Sequence, residues 1–146
     1  MKVEETDDPS CVGAVLTACG LSILGVLVPR TRYFVAFDEG GRAIGSIGLE
    51  LGDGAVLVRS AGVLPEARGL HVGERLVDHA HAQARAMGAT RAYLFSTGAG
   101  PYWIKRGYVE VPVDELRAAL PNVPQVMRYV ADGSIAREVA WRRELA

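Results

Sequence analysis

The 146-residue sequence lacks most of what would direct it to a membrane, a nucleic acid or an oxidising compartment. It has two cysteines, Cys11 and Cys19, both in one N-terminal segment. Two thiols with no CxxC knuckle make neither a disulfide framework nor a zinc ribbon, so a reducing compartment is the simpler expectation. A net charge of -1 with no basic run offers a polyanion nothing to bind, and no nucleic-acid partner is expected. The most apolar run, Leu21 to Val28, is too short to span a bilayer. Met1 is followed by an acidic stretch, Glu4 to Asp8, where a secretory leader would be basic. A cytoplasmic protein without a membrane partner is the resulting expectation. Several chemical signatures are missing too. No Gly-Lys-Ser/Thr follows the glycine-containing loop, and no G-x-S-x-G surrounds Ser96. His79 and His81 are two apart on a helix pattern and point apart, which excludes the usual i, i+4 metal pair; they read as surface histidines, and no metal is expected.

What is present fits one domain, residues 1–146, with 49% hydrophobic and 23% charged residues. Residues 1–8 read as a flexible polar lead-in. Asp8-Pro9-Ser10 starts a helix that runs to about Cys19. Leu21 to Val28 fits either a loop or a second short helix. Strands follow over Tyr33–Phe37, Ala43–Leu51 and Ala55–Val63, and their short glycine turns imply an antiparallel meander. A helix over Gly73–Met87 presents Leu76, Ala80, Ala84 and Met87 on one face. Then come a buried strand, Arg91–Phe95, a short helix, Pro101–Arg106, a strand, Tyr108–Val111, and a helical turn, Asp114–Leu120. Gln125–Val130 reads as a last strand, and Ser134–Leu145, within 131–146, as a C-terminal helix carrying Trp141 into the core. The fold class is α/β (α+β): a mixed, mostly antiparallel sheet with helices on both faces, and a parallel crossover from the third strand through the long helix.

The stretch Arg68-Gly69-Leu70-His71-Val72-Gly73 stands where the third strand passes into that helix. A helix start offers unpaired N–H groups and a positive dipole end, which suits a phosphate; the same residues also make an ordinary turn. The chain around it is more specific. "VRSAGVLPEARGLHVGERLV" (58–77) resembles the signature of the GCN5-related N-acetyltransferases, the GNAT superfamily, and "PYWIKRGYVEV" (101–111) resembles their later aromatic segment. Within that superfamily, "ACGL", "GSIGLELGDGAVLVRSAGV" and "LFSTGAGPYWIKRGY" are most similar to the ArsN-type enzymes of arsenic resistance, associated with N-acetylation of arsinothricin or phosphinothricin.

The resemblance implies a sheet whose two central parallel strands splay, with acetyl-CoA as cosubstrate in the gap. It assigns pantetheine to Ala61, Gly62 and Val63, and the pyrophosphate to Arg68, Gly69, Leu70, His71, Val72 and Gly73. It implies acyl transfer from the thioester to the amine of a small molecule, with a glutamate-like amino acid as one acceptor. Glu50, at a strand end, is the candidate base or ammonium holder, or else a solvated carboxylate. Arg59 interrupts an apolar strand and needs a partner: an acceptor carboxylate, or a salt bridge to Glu50 or Glu74. Strict alternation puts it on one face with Leu57 and Ala61. Ser60, Ser96 and Thr97 are candidate substrate contacts or loop caps. Two residues depart from the family pattern. His71 replaces a glycine, and Trp103 stands where a tyrosine often protonates the thiolate; Tyr102 is the neighbouring phenol and the second candidate catalytic residue. These departures sustain a rival reading, a GNAT-fold module that binds CoA or another ligand without efficient turnover. Acetylation of a peptide terminus is a third. Dimers are common in that fold family, so a homodimer is the oligomer considered.

Overall fold

The computed structural model describes residues 1–23, 26 and 28–145. Its elements follow the sequence in the order β1 (Lys2–Thr6), α1 (Pro9–Ala18), β2 (Thr31–Phe37), β3 (Ala43–Leu51), β4 (Ala55–Val63), α2 (Val72–Ala86), β5 (Arg91–Phe95), α3 (Gly100–Lys105), β6 (Val109–Val111), α4 (Val113–Ala119), α5 (Pro124–Asp132) and β7 (Ala140–Glu144). The seven strands form one sheet in the order β1-β2-β3-β4-β5-β7-β6. Every neighbouring pair is antiparallel except β4 and β5. The Leu21–Val28 stretch lies partly outside the described residues.

Local chemistry sets much of this. Asp8 caps α1 by accepting from the Ser10 N–H at 2.9 Å, with Pro9 in the first turn. The β2–β3–β4 meander buries alternate faces. Phe34, Ile47, Leu49, Val56 and Val58 pack with Val72, Leu76, Val77, Ala80 and Ala84 of α2. On the other face Ala55, Leu57 and Tyr93 meet Leu116 of α4 and Val126 of α5. Val12 and Leu16 of α1 cover Tyr33 and Val35.

Three expectations are corrected. Residues 2–6 are not a frayed lead-in but an edge strand on β2. Lys and Glu side chains suit an edge because they deter further pairing. Gln125–Val130 is helical, not a strand: Pro124 sits in the first turn, and Val126 and Val130 return to the same face at helical spacing. The C-terminal segment is a strand, not a helix. Ala140–Glu144 lies between β5 and β6 and pairs with both. Its helix-forming Ala, Arg and Glu are overruled by two sets of ladder bonds that only the tertiary fold supplies. Trp141 is buried as expected, and its indole N–H donates to the Ser96 carbonyl at 2.9 Å.

Gly48 lies under the Tyr33 ring: a Cβ there would stand 2.6 Å from Cε1 of a fully buried side chain. Gly48→Ala should therefore destabilise the protein by about 1–3 kcal/mol through overpacking, measured as a shift of the urea midpoint.

Candidate active site

The site begins with one extra residue in β4. β3 and β4 pair as Leu51↔Val56 to Gly48↔Arg59, and then as Ser46↔Gly62. Two steps on β3 oppose three on β4, which defines a β-bulge. The bulged strand carries Ser60 at φ 56°, in the left-handed region. That conformation costs an L-residue roughly 1–2 kcal/mol. Hydrogen bonds hold it. The Ser46 hydroxyl donates to the Ser60 carbonyl at 3.0 Å, and Arg59 Nε–H donates to Ser60 Oγ at 3.0 Å. The Tyr33 hydroxyl stands 3.4 Å from the same Oγ, reached across the space that Gly48 leaves.

The bulge inverts the alternation of β4. Before it, Ala55 and Leu57 face α4 and α5, while Val56 and Val58 face α2. After it, Ala61 and Val63 pack on the α2 side. Ala61 therefore does not share a face with Leu57, as strict alternation predicts. The bend also separates β4 from β5, whose pairing covers only Ala55, Val56 and Leu57 of β4. Along the freed edge runs a cavity of about 710 Å³, within the 300–1,000 Å³ or so typical of small-molecule sites. Ala61, Gly62 and Val63 line it from the strand, Val72, Leu76 and Val77 from α2, and Tyr102 and Trp103 from α3. Cys19, Leu21, Ser46 and Ile47 border it as well, and so do Arg68, Gly69, His71, Gly73 and Glu74.

The loop before α2 has two left-handed residues, Gly69 at φ 85° and His71 at φ 61°. His71 holds the N-cap position of α2 without capping it. Its ring is 77% exposed and places Nδ1 3.1 Å from Glu74 Oε2. The first-turn amides of α2 have no intrahelical acceptor and form the positive end of its dipole. Arg68 folds back, donating from Nε to the Val63 carbonyl at 3.2 Å, and the Cys19 thiol donates to that same oxygen at 3.3 Å. Leu70 is exposed and off the cavity lining. Gly73 allows a close approach: a Cβ there would stand 2.8 Å from the Tyr102 hydroxyl. That hydroxyl thus sits at the end of the cavity formed by Val63 and Gly73, and burial raises its pKa, so it keeps its proton. Trp103 is buried, edge-on to Tyr102 at 5.0 Å and to Tyr108 at 5.4 Å.

Other expected site residues lie elsewhere. Glu50 is fully buried, not solvated, and neither it nor Arg59 lines the cavity. Arg59 Nη1 donates to Glu50 Oε2 at 2.9 Å, which is the salt bridge foreseen as one option for Arg59. Glu50 Oε1 accepts from the Gln125 N–H at 2.8 Å, so this strand carboxylate caps α5 from outside the helix. Ser96 accepts from the Ala99 N–H at 3.2 Å as a loop cap, and Thr97 is exposed; neither lines the cavity. Among the described residues no group of His, Cys, Asp and Glu is arranged to hold a metal.

His81 is not a surface residue but only 2% exposed. Arg143 Nη1 lies 3.1 Å from its Nδ1 and also donates to the Arg106 carbonyl at 2.8 Å. A guanidinium only donates, so Nδ1 accepts, and the ring proton on Nε2 is given to the Tyr108 hydroxyl at 2.8 Å. Burial, then the charges of Arg143 and Arg85, lower its pKa to about 4. The network fastens α2 to β7 and to the end of α3, and so fixes the wall that carries Tyr102 and Trp103. Ser46, Tyr33, Gly48, Gln125 and Cys19 were not singled out by sequence for the site. Only Gly48, an isolated glycine inside a strand pattern, carries a local signal of close approach.

The family model described as Acetyltransferase (GNAT) domain matches residues 29–110, from just before β2 to β6. An amino-acid acetyltransferase of Ralstonia nicotianae is 33% identical over 106 residues, covering 63% of this chain and 23% of that protein. The chain thus spans under a quarter of that curated relative's length. The N-acetylglutamate synthase of Neisseria gonorrhoeae, complexed with coenzyme A and N-acetyl-glutamate, superposes with a TM-score of 0.73 at 22% identity, over 100% of this chain and 36% of that one. Rv2747 of Mycobacterium tuberculosis, in complex with CoA and NLQ, superposes with a TM-score of 0.73 at 17% identity, over 100% of each. At these identities the superpositions speak to the fold.

Two outcomes follow for the site's scaffold. His71→Gly should raise stability by up to about 1 kcal/mol in denaturant titration, because relief of the left-handed strain exceeds the added backbone entropy. Unfolded His81 takes a proton near pH 6.5, but folded His81 only near pH 4. Between those values the unfolded chain binds more protons, so stability falls as pH falls. The loss should be roughly 3 kcal/mol from pH 6.5 to 4. Urea midpoints at pH 7 and pH 4.5 read it, and His81→Asn should flatten the dependence.

Proposed function

The chain belongs to the GNAT acetyltransferases, and we propose that it transfers the acetyl group of acetyl-CoA to the amine of a small amino acid. The narrower reading is a glutamate-like acceptor such as arsinothricin or phosphinothricin. The observation that carries the proposal is the unpaired edge of β4 leading into the start of α2. The strand backbone at Ala61, Gly62 and Val63 lines the cavity and suits the amides of a pantetheine arm, which would share the Val63 carbonyl with Arg68 and Cys19. The first-turn amides of α2, the loop from Gly69 to Gly73 and the Arg68 guanidinium suit a pyrophosphate.

Bound acetyl-CoA supplies a thioester carbonyl open to attack by a neutral amine. The chain's contribution is to hold and orient it and to exclude water along the apolar wall of Leu76, Val77 and Trp103. Tyr102 brings a protonated phenol to the cavity; the Trp103 indole cannot give up a proton in its place. The amino-acid acetyltransferase relative supports an amino-acid acceptor. Arg59, beside the bulge, is the proposed cation for an acceptor carboxylate. It already holds Glu50 and Ser60, so the acceptor would share it. The rival is a binding module without efficient turnover.

Calorimetric titration with acetyl-CoA, followed by a free-thiol assay over amino acids, simple amines and phosphinothricin, separates these readings. Binding, and thiol release fastest with phosphinothricin or glutamate, is the expected result. No binding overturns the enzyme reading. Binding without turnover on any amine favours the rival, and faster turnover of neutral amino acids removes the glutamate-like acceptor.

A further inference from the structure

We infer that Glu50 is a positioning residue which, through Arg59, fixes the left-handed bulge at Ser60 and thereby holds open the β4 edge. The inference rests on the acetyl-CoA reading of that edge. A base must reach the reacting amine, and Glu50 does not line the cavity. Both Glu50 oxygens are engaged, one by Arg59 Nη1 at 2.9 Å and one by the Gln125 N–H at 2.8 Å, and the side chain is fully buried. What Glu50 does reach is the bulge, in two steps. It grips one end of the Arg59 guanidinium, and the same guanidinium donates from Nε to Ser60 Oγ at 3.0 Å. The chain of contacts therefore runs from the start of α5 to Glu50, to Arg59 and to the bulged residue.

The register shows why this matters. β4 leaves β5 after Leu57, and the pinned residue follows three positions later. A serine at φ 56° reverts readily to extended backbone unless something holds it. Reversion would restore strict alternation, turn Ala61 and Val63 away from the α2 side, and close the edge onto β5.

The test uses variants that leave no lone buried charge. Glu50→Gln combined with Arg59→Met keeps an acceptor for the Gln125 N–H but removes the donor to Ser60. Its Kd for acetyl-CoA should rise about tenfold, matching the cost of an unsupported left-handed residue. Adding Ser60→Gly should bring Kd back to within about threefold of wild type, since glycine takes positive φ unaided. The pH–rate profile should keep the wild-type shape, which loss of a base would not allow; the KM for the acceptor is read separately, because Arg59 is also the proposed acceptor cation. If the double variant does not fold, Arg59→Lys serves instead: it keeps a cation for Glu50, lacks the Nε donor, and should show the same loss and the same recovery.

An unchanged Kd, or a loss that Ser60→Gly does not recover, overturns the inference. So does a fall in turnover of more than about a hundredfold with loss of the acid limb, the mark of a base. Failure of wild type to bind acetyl-CoA overturns the functional reading, and this inference with it. Normal wild-type binding with indifferent variants overturns the inference alone.

Discussion

A single residue out of register governs the rest of the molecule. One additional residue in β4 puts Ser60 in a left-handed conformation, and three consequences follow from backbone geometry. The strand bends, its faces exchange, and its pairing with β5 stops after Leu57. An ordinary central strand spends all its N–H and C=O groups on its two neighbours. This one withholds part of that capacity from β5 beyond Leu57. The cavity is the space left by the same bend, bounded by the helices that a regular sheet would have brought against it.

A bend of this kind persists only where the surroundings over-determine it. Below the sheet, α5 supplies a helix-start amide to Glu50, which steadies Arg59 against Ser60. Ser46 and Tyr33 approach from β3 and β2, with Gly48 leaving room for the Tyr33 ring. Above it, the long apolar face of α2 packs on β3 and β4. The His81 network then carries α3 with α2 and β7, so the two walls of the cavity are not independent. The buried ion pair is weak grounds for stability, because desolvation offsets its Coulombic gain. Its geometric effect on the bulge is the stronger account of why two charges lie inside this core.

Legibility in the sequence followed the range of the interactions. β3, β4 and β5 were readable to the residue, since their hydrophobic runs end at glycine turns or at a change of period. α1 was readable from Asp8 and Pro9. β7 was not, because Ala-Trp-Arg-Arg-Glu becomes a strand only between β5 and β6, far away in sequence. α5 was obscured by its valines, whose strand preference masked the start signal at Pro124. In the site, the glycines of the loop from Arg68 to Gly73 suited an ordinary turn as well, and only the chain around the loop distinguished it. The Arg59–Glu50 contact was legible as one of several options, because a charge on an apolar strand must find a partner. The bulge was not. Serine carries no signal for positive φ, and apart from its neighbour Arg59 the residues that hold it there come from β2, β3 and α5. The face assignment of Ala61 failed for that reason alone.

The two non-glycine left-handed residues at the site, Ser60 and His71, are strained in the same way and explained differently. At Ser60 the side chain is part of the solution, since its oxygen receives Arg59 and stands near Tyr33. Glycine would fit the backbone and lose the anchor. At His71 the side chain gives the scaffold little. Its contact is with the half-exposed Glu74, a pairing worth little in water. Glu74 has a second partner in Arg106, 3.4 Å away at the end of α3, so it needs no histidine to stay in place. The strain at Ser60 is therefore balanced inside the fold. The strain at His71 is not, and it falls on the cavity side of the loop, facing the α2 amides that suit an anion. The first is an architectural outlier. The second has no such support in the fold, which is why glycine is expected to be the more stable residue there.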